Sequence, residues 1–149
     1  MNGAAQEGCL FCRIARGEFP VARIHEDDDV IAFLDIRPIR EGHLLIVPKA
    51  HYDYFEDIPA GIAGRIMSLA QRFAGVAKRT YNVARVGFMF TGIHIAHAHA
   101  HVIPMVEDTD ITSRRYIVED QITFRDPDVI PSDQLEQVAR KLKAALAET

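Results

Sequence analysis

His97-Ala98-His99-Ala100-His101-Val102-Ile103 sets three imidazoles at alternate positions, with small or apolar residues between them. Side chains of a strand alternate between its two faces, so His97, His99 and His101 are expected on one face and Ala98, Ala100 and Val102 on the other. Alanines on the second face predict close packing against a neighbouring element. Three imidazoles together would cost too much polar burial as mere core filling. Two kinds of chemistry use such a row. One is a metal cluster, because His-x-His on a strand can grip zinc. The other is phosphoryl or nucleotidyl transfer, in which one imidazole attacks and the others bind phosphate.

The flanking sequence supplies the frame for this row. Residues 96–103 and 84–90 read as strands. Before them, Ile62, Ile66, Leu69, Phe73, Val76 and Ala77 fall on one helical stripe, with Arg65, Gln71, Arg72 and Lys78 mostly elsewhere. Residues 44–47 form a continuous apolar run ended by Pro48, the pattern of a buried strand. Pro38 and Gly42 mark residues 36–42 as a loop. Residues 21–25 and 30–34 read as a hairpin around the acidic turn Glu26-Asp27-Asp28-Asp29. Residues 9–17 read as a short helix or turn stopped at Gly17. A last helix is expected to begin at Ser132 or Asp133, either of which can cap it. Its apolar face comprises Leu135, Val138, Ala139, Leu142, Ala145 and Leu146. Residues 106–131 show only a weak pattern and are expected to be mostly loop. Hairpins and short links favour an α+β fold, a mainly antiparallel sheet with helices packed on it.

The chain of 149 residues is of single-domain size. Residues 1–149 are therefore expected to form one domain, with residues 1–8 a disordered lead-in and residues 106–149 a C-terminal extension carrying the last helix. Hydrophobic residues make up 48%, enough for a core without disulfide staples. The net charge of −4 and the lack of a long basic run argue against a nucleic-acid surface. No apolar stretch is long enough to span a bilayer, and residues 1–8 lack the apolar centre of a signal peptide. A cytoplasmic location, with no membrane partner, is the expectation. In a reducing compartment the two cysteines, Cys9 and Cys12, are more often a metal knuckle or redox pair than a structural bridge.

The row His-φ-His-φ-His-φ-φ resembles the signature of the histidine triad (HIT) superfamily, where φ is an apolar residue. Two further blocks share the likeness in the same order. Cys9-Leu10-Phe11-Cys12-Arg13-Ile14 with Gly17-Glu18-Phe19-Pro20 looks like the opening of many bacterial members. Ala32-Phe33-Leu34-Asp35-Ile36, Pro38 and Gly42-His43-Leu44-Leu45-Ile46-Val47-Pro48-Lys49-Ala50-His51 are similar to the central block. The resemblance runs from Cys9 to about Pro104. It implies a HIT-like fold with a five-stranded antiparallel sheet, a homodimer, and a purine nucleotide or nucleotide conjugate as substrate.

By the same resemblance, His99 is the nucleophile that attacks the α-phosphorus and forms a nucleotidyl-histidine. Its other ring nitrogen must be held by an acceptor so that the attacking nitrogen is neutral. His101 and His43 match positions that flank the phosphate, where N–H donors bind non-bridging oxygens. Asp35 matches the acidic position that receives ribose hydroxyls, while Phe33, Ile36 and Leu34 are candidates for the base slot. Cys9, Cys12, His51 and His97 match a structural zinc set. The match departs at His94, which stands where many members carry a serine or threonine. His94 is either an extra phosphate donor or turned away. The glycine-rich connection before the triad is also short here, Phe90-Thr91-Gly92. Arg114 and Arg115 fit either a phosphate contact or a solvated pair, and His25 reads as a surface residue. Two other readings of the histidines stay open: a zinc-dependent metallohydrolase built on His97, His99 and His101, and a nucleotide-binding regulatory protein with little turnover.

Overall fold

The computed structural model describes residues 6–91, 94–107, 109–111 and 127–148. Helix α1 (Leu10–Ala15) precedes a hairpin of β1 (Arg23–Glu26) and β2 (Val30–Leu34). Strand β3 (Leu44–Pro48), a 3₁₀ turn (Phe55–Asp57) and helix α2 (Ala60–Tyr81) follow. Then come β4 (Arg85–Thr91), β5 (His99–Met105) and helix α3 (Ser132–Ala147). The strands form one sheet in the order β1-β2-β3-β5-β4, and every neighbouring pair is antiparallel. This is the α+β, antiparallel class expected from the sequence, with the five strands that the family resemblance implies.

The hairpin turn is built by Asp27, whose carboxylate accepts from the amides of Asp29 at 2.9 Å and Val30 at 3.0 Å. Arg65 of α2 donates to the other carboxylate oxygen at 2.9 Å, tying the turn to the helix. Together with His25 these donors hold the Asp27 carboxyl well below the usual carboxylate range, against the opposing effect of its burial. All five residues of β2 and of β3 are buried, because both faces of the central sheet are covered. Ala32, Leu34, Leu44, Ile46, Ala100 and Val102 meet Ile66, Leu69 and Phe73 of α2 and Leu135, Ala139 and Leu142 of α3. The other face carries Ile31, Phe33, Leu45 and Val47 against Phe11 and Ile14 of α1. The alanines between the histidines do pack tightly, with Ala98 and Ala100 fully inside the helix-side core.

The starts of β5 and β1 and the cap of α3 differ from the sequence expectation, while α3 does begin at Ser132. Strand β5 begins at His99, so His97 is not part of the strand row. The amide of His97 donates to Ile95 O at 2.8 Å and that of Ala98 to Tyr52 O at 2.7 Å, so the backbone there is anchored on the loop after β3. Strand β1 begins at Arg23, where a bulge interrupts the pairing with β2. Helix α3 is capped by neither Ser132 nor Asp133: Pro131 occupies the capping position, at φ −57° and with no side-chain bond.

Gly42, next to His43, has φ +84°. A Cβ there would lie 2.5 Å from the Tyr81 ring, so both backbone conformation and space require glycine. Tyr81 ends α2, and Asn82 stops that helix in the left-handed region at φ 51°.

Candidate active site and metal centre

Helix α1, the loop after β3 and the residues before β5 each deliver ligands to one point. Cys9 Sγ lies 3.3 Å from His97 Nδ1, and Cys12 Sγ lies 3.3 Å from His51 Nδ1 and 3.6 Å from His97 Nδ1. The two Nδ1 atoms are 3.2 Å apart. A tetrahedral ion with metal–sulfur bonds of about 2.3 Å and metal–nitrogen bonds of about 2.0 Å has donor–donor edges of roughly 3.3–3.8 Å. The spacing found here fits that figure. The far nitrogens are also held: His97 Nε2–H donates to Pro48 O at 2.9 Å and His51 Nε2–H to Asp53 Oδ1 at 2.8 Å. Those acceptors leave each Nδ1 lone pair directed at the thiols, the usual outer arrangement of metal-bound imidazoles. Cys12, His51 and His97 are buried. A Cys₂His₂ zinc ion suits this donor set.

His97 therefore belongs to the thiol cluster. Among the described residues, metal-type donors converge in that group and in a second one of Asp35, His43 and His101. His99 is in neither, so His97, His99 and His101 do not form a common metal site. In the second group no cation-binding pair of lone pairs is free. Ile39 N–H already donates to His43 Nδ1 at 3.2 Å, and His43 Nε2 faces His101 Nδ1 at 2.9 Å.

His99 and His101 project from β5 on the α1 side of the sheet, with ring centroids 4.9 Å apart. His99 Nδ1–H donates to the main-chain oxygen of His97 at 2.6 Å, which leaves the lone pair on Nε2. The edge of Phe11 packs on the His99 ring at 5.0 Å between centroids. Burial pushes His99 below the ordinary imidazole value, keeping it neutral at pH 7. Burial, assisted by the neighbouring His43 and His99 rings, pushes His101 down to about 4. Burial likewise lowers His43, against the opposing pull of the Asp35 carboxylate.

A cleft of about 560 Å³ opens in front of His99 and His101. Phe33 and Phe11 are buried in its wall, and Ile36, at 55% exposure, lies at its rim. Asp35 and His94 also line it. Asp35 has a structural task as well, since its Oδ1 accepts from Arg37 N at 2.8 Å. His94 is exposed at the cleft edge. His43 is not brought to this cleft. It stands behind His101 and borders a separate hollow between residues 34–43 and the start of α3. His25 bonds Asp27 at 3.0 Å, away from the cleft. Arg114 and Arg115 lie outside the described residues.

Two polar residues of the cleft, Arg37 and Thr91, were given no role by the sequence. Thr91 Oγ1 lies 2.8 Å from His101 Nε2, and Thr91 pairs with His99 across β4 and β5. The signal was present in the β4 alternation, which puts Thr91 on the same face as Met89, the partner of His101. It becomes readable only once the strand register is known.

The HIT domain profile matches residues 16–108. An uncharacterized HIT-like protein of Mycobacterium tuberculosis is 32% identical over 149 residues, covering 94% of this chain and 94% of that protein. An adenosine 5'-monophosphoramidase of Saccharomyces cerevisiae is 39% identical over 97 residues, 64% of this chain and 61% of the yeast enzyme. Among solved structures, a zinc-bound histidine triad family protein from Mycobacterium smegmatis is similar with a TM-score of 0.71 and 30% identity. That likeness covers 95% of this chain and 94% of the other.

Proposed function

Because the chain belongs to the HIT domain family, we propose that it is a nucleotide hydrolase or transferase acting at the α-phosphate of nucleotide conjugates, such as nucleoside phosphoramidates or dinucleoside polyphosphates. One observation carries this reading. The His97 main-chain oxygen takes the Nδ1–H of His99 at 2.6 Å, so a neutral Nε2 is the nucleophile. In the first step a bond forms from His99 Nε2 to the α-phosphorus as the bond to the leaving group breaks, and the leaving group takes a proton from solvent, which the attacking water or acceptor returns in the second step. In the second step water, or another acceptor, attacks the phosphorus and frees His99. His101 stands beside the phosphate with its Nε2–H on Thr91 Oγ1, and His43 acts through His101 by fixing which nitrogen carries the proton. Phe33 and Ile36 form the base slot, Asp35 accepts the ribose hydroxyls, and His94 contacts the phosphate chain from the rim. The adenosine phosphoramidase activity named for the yeast relative supports an adenine or other purine substrate.

Zinc held by Cys9, Cys12, His51 and His97 serves as a structural cofactor, supplying rigidity and no reacting atom. The same reading makes residues 1–149 one functional unit, a homodimer working in the cytoplasm. No helix among the described residues is long and apolar enough to cross a membrane. The homodimer draws support from the edge strand β4, where the exposed Phe55 ring stacks beside Phe90 at 5.9 Å between centroids.

Intact-mass spectrometry after rapid quenching from adenosine phosphoramidate tests the reading. An adenylyl adduct is expected on the wild type and absent from His99→Asn, with turnover lower by at least about 10⁴-fold. Turnover without an adduct, abolished at once by chelators, would sink it in favour of a metallohydrolase. Retained function in His99→Asn would point to a regulatory binder.

A further inference from the structure

The histidines of the cleft are joined by hydrogen bonds that have a direction. Ile39 N–H donates to His43 Nδ1 at 3.2 Å. A main-chain amide can only donate, so neutral His43 carries its own proton on Nε2. His43 Nε2–H then donates to His101 Nδ1 at 2.9 Å, which leaves the His101 proton on Nε2. His101 Nε2–H donates in turn to Thr91 Oγ1 at 2.8 Å. The Thr91 oxygen is thus an acceptor toward the imidazole, and its hydroxyl hydrogen is turned elsewhere. Thr91 is exposed and lines the cleft with His99 and His101. Its backbone sits directly across from His99 in the β4–β5 pair.

We propose that Thr91 is a phosphate-binding residue of this site, its hydroxyl donating to an oxygen of the phosphate that faces His99. The Ile39 amide sets the direction of that hydroxyl through His43 and His101. This rests on the reading that the cleft takes a nucleotide α-phosphate. The hydroxyl and the His99 Nε2 lone pair then address one phosphate from neighbouring strands, the hydroxyl gripping oxygen while the imidazole approaches phosphorus. A donor fixed before the substrate arrives strengthens its bond as negative charge grows on the phosphate, so its loss falls mainly on turnover.

Two measurements test this. Long-range ¹⁵N–¹H correlation spectra assign the protonated nitrogen of each ring. Nε2–H is expected on both His43 and His101, in the wild type and in Thr91→Val alike, because the direction is set from the Ile39 end. Nδ1–H on His101 would reverse the chain and overturn the proposal. With adenosine phosphoramidate, Thr91→Val is expected to lower kcat/KM by about 10–100-fold, and Thr91→Ser to stay within about threefold of the wild type. Activity of Thr91→Val within about twofold of the wild type would also overturn it. If the wild type turns over neither this probe nor diadenosine tetraphosphate, the catalytic reading fails and AMP binding decides for Thr91. Affinity for AMP lowered about threefold or more in Thr91→Val, and restored in Thr91→Ser, keeps the phosphate contact; unchanged affinity removes it.

Discussion

The main-chain oxygen of His97 holds the Nδ1–H of His99 at 2.6 Å, while the His97 ring lies 3.3 Å from the Cys9 sulfur. A single residue thus joins the metal-type cluster to the imidazole expected to attack. Displacing the His97 ring shifts the acceptor that fixes the His99 tautomer, so the two centres are mechanically continuous.

Asp53 is the outer partner of that cluster, accepting from His51 Nε2 at 2.8 Å. Asp53→Asn is expected to weaken zinc binding by about 10–100-fold, because the ligand loses basicity and orientation. Competition with a coloured chelator measures this directly. Unchanged affinity would show that the Asp53 contact is incidental.

The half-buried His101 gives the protein an acid-sensitive element. Its value is pushed down to about 4, below about 6.5 in an unfolded chain. The folded state therefore binds this proton more weakly than the unfolded one. The contribution to stability is complete above about pH 6.5 and is lost as pH falls toward about 4. Melting temperature should drop across that window in the wild type and drop less steeply in His101→Asn. Parallel curves for the two proteins would place the acid sensitivity on other groups.

Gly42→Ala combines a strained φ of +84° with a Cβ placed 2.5 Å from the Tyr81 ring. A loss of about 2–4 kcal/mol is expected, read from denaturant midpoints. His43 is the next residue, so turnover should fall along with stability. Adding Tyr81→Leu, which removes the ring, should recover part of the stability but not the backbone strain. No recovery in the double variant would mean that φ alone makes glycine necessary.

The exposed Phe55, 61% accessible beside β4, sets up a test of assembly. Phe55→Asp is expected to convert a dimer to a monomer in light scattering while leaving the circular dichroism unchanged. A wild-type monomer, or a variant that stays dimeric, would remove this surface from the interface.

The apolar runs made most of the frame readable from the sequence. Residues 30–34 read as a hairpin strand and 44–47 as a buried one, and the stripe from Ile62 to Ala77 is a helix with one buried face; that β2 is covered on both sides emerged only from the structure. The triad spacing likewise put His99 and His101 on one side of a strand. The start of β5 was not readable, because it depends on where two amides go. His97 N and Ala98 N bond to Ile95 and Tyr52, and nothing in residues 96–98 announces those partners. The place of His43 was hidden for the same reason. Its position behind His101 is fixed by the amide of Ile39, within its own loop, and by the Gly42 turn against Tyr81, a contact between segments far apart in sequence. Thr91 was missed because a hydroxyl at a strand end has meaning only through its cross-strand neighbour.

Helix α1 has six residues, too few to persist in water by itself. It endures by docking Phe11 and Ile14 on the sheet and by carrying the Cys12 thiol, with Cys9 at its N-cap. Leu10, Phe11 and Ile14 also line the cleft, so one of its walls exists only while this short segment stays attached. On the proposed function, ion supply and ligand affinity become reciprocal quantities: whatever factor zinc adds to nucleotide binding, nucleotide must add to zinc binding. Stripping metal from the Cys9, Cys12, His51 and His97 group is therefore expected to open the cleft before the sheet unfolds.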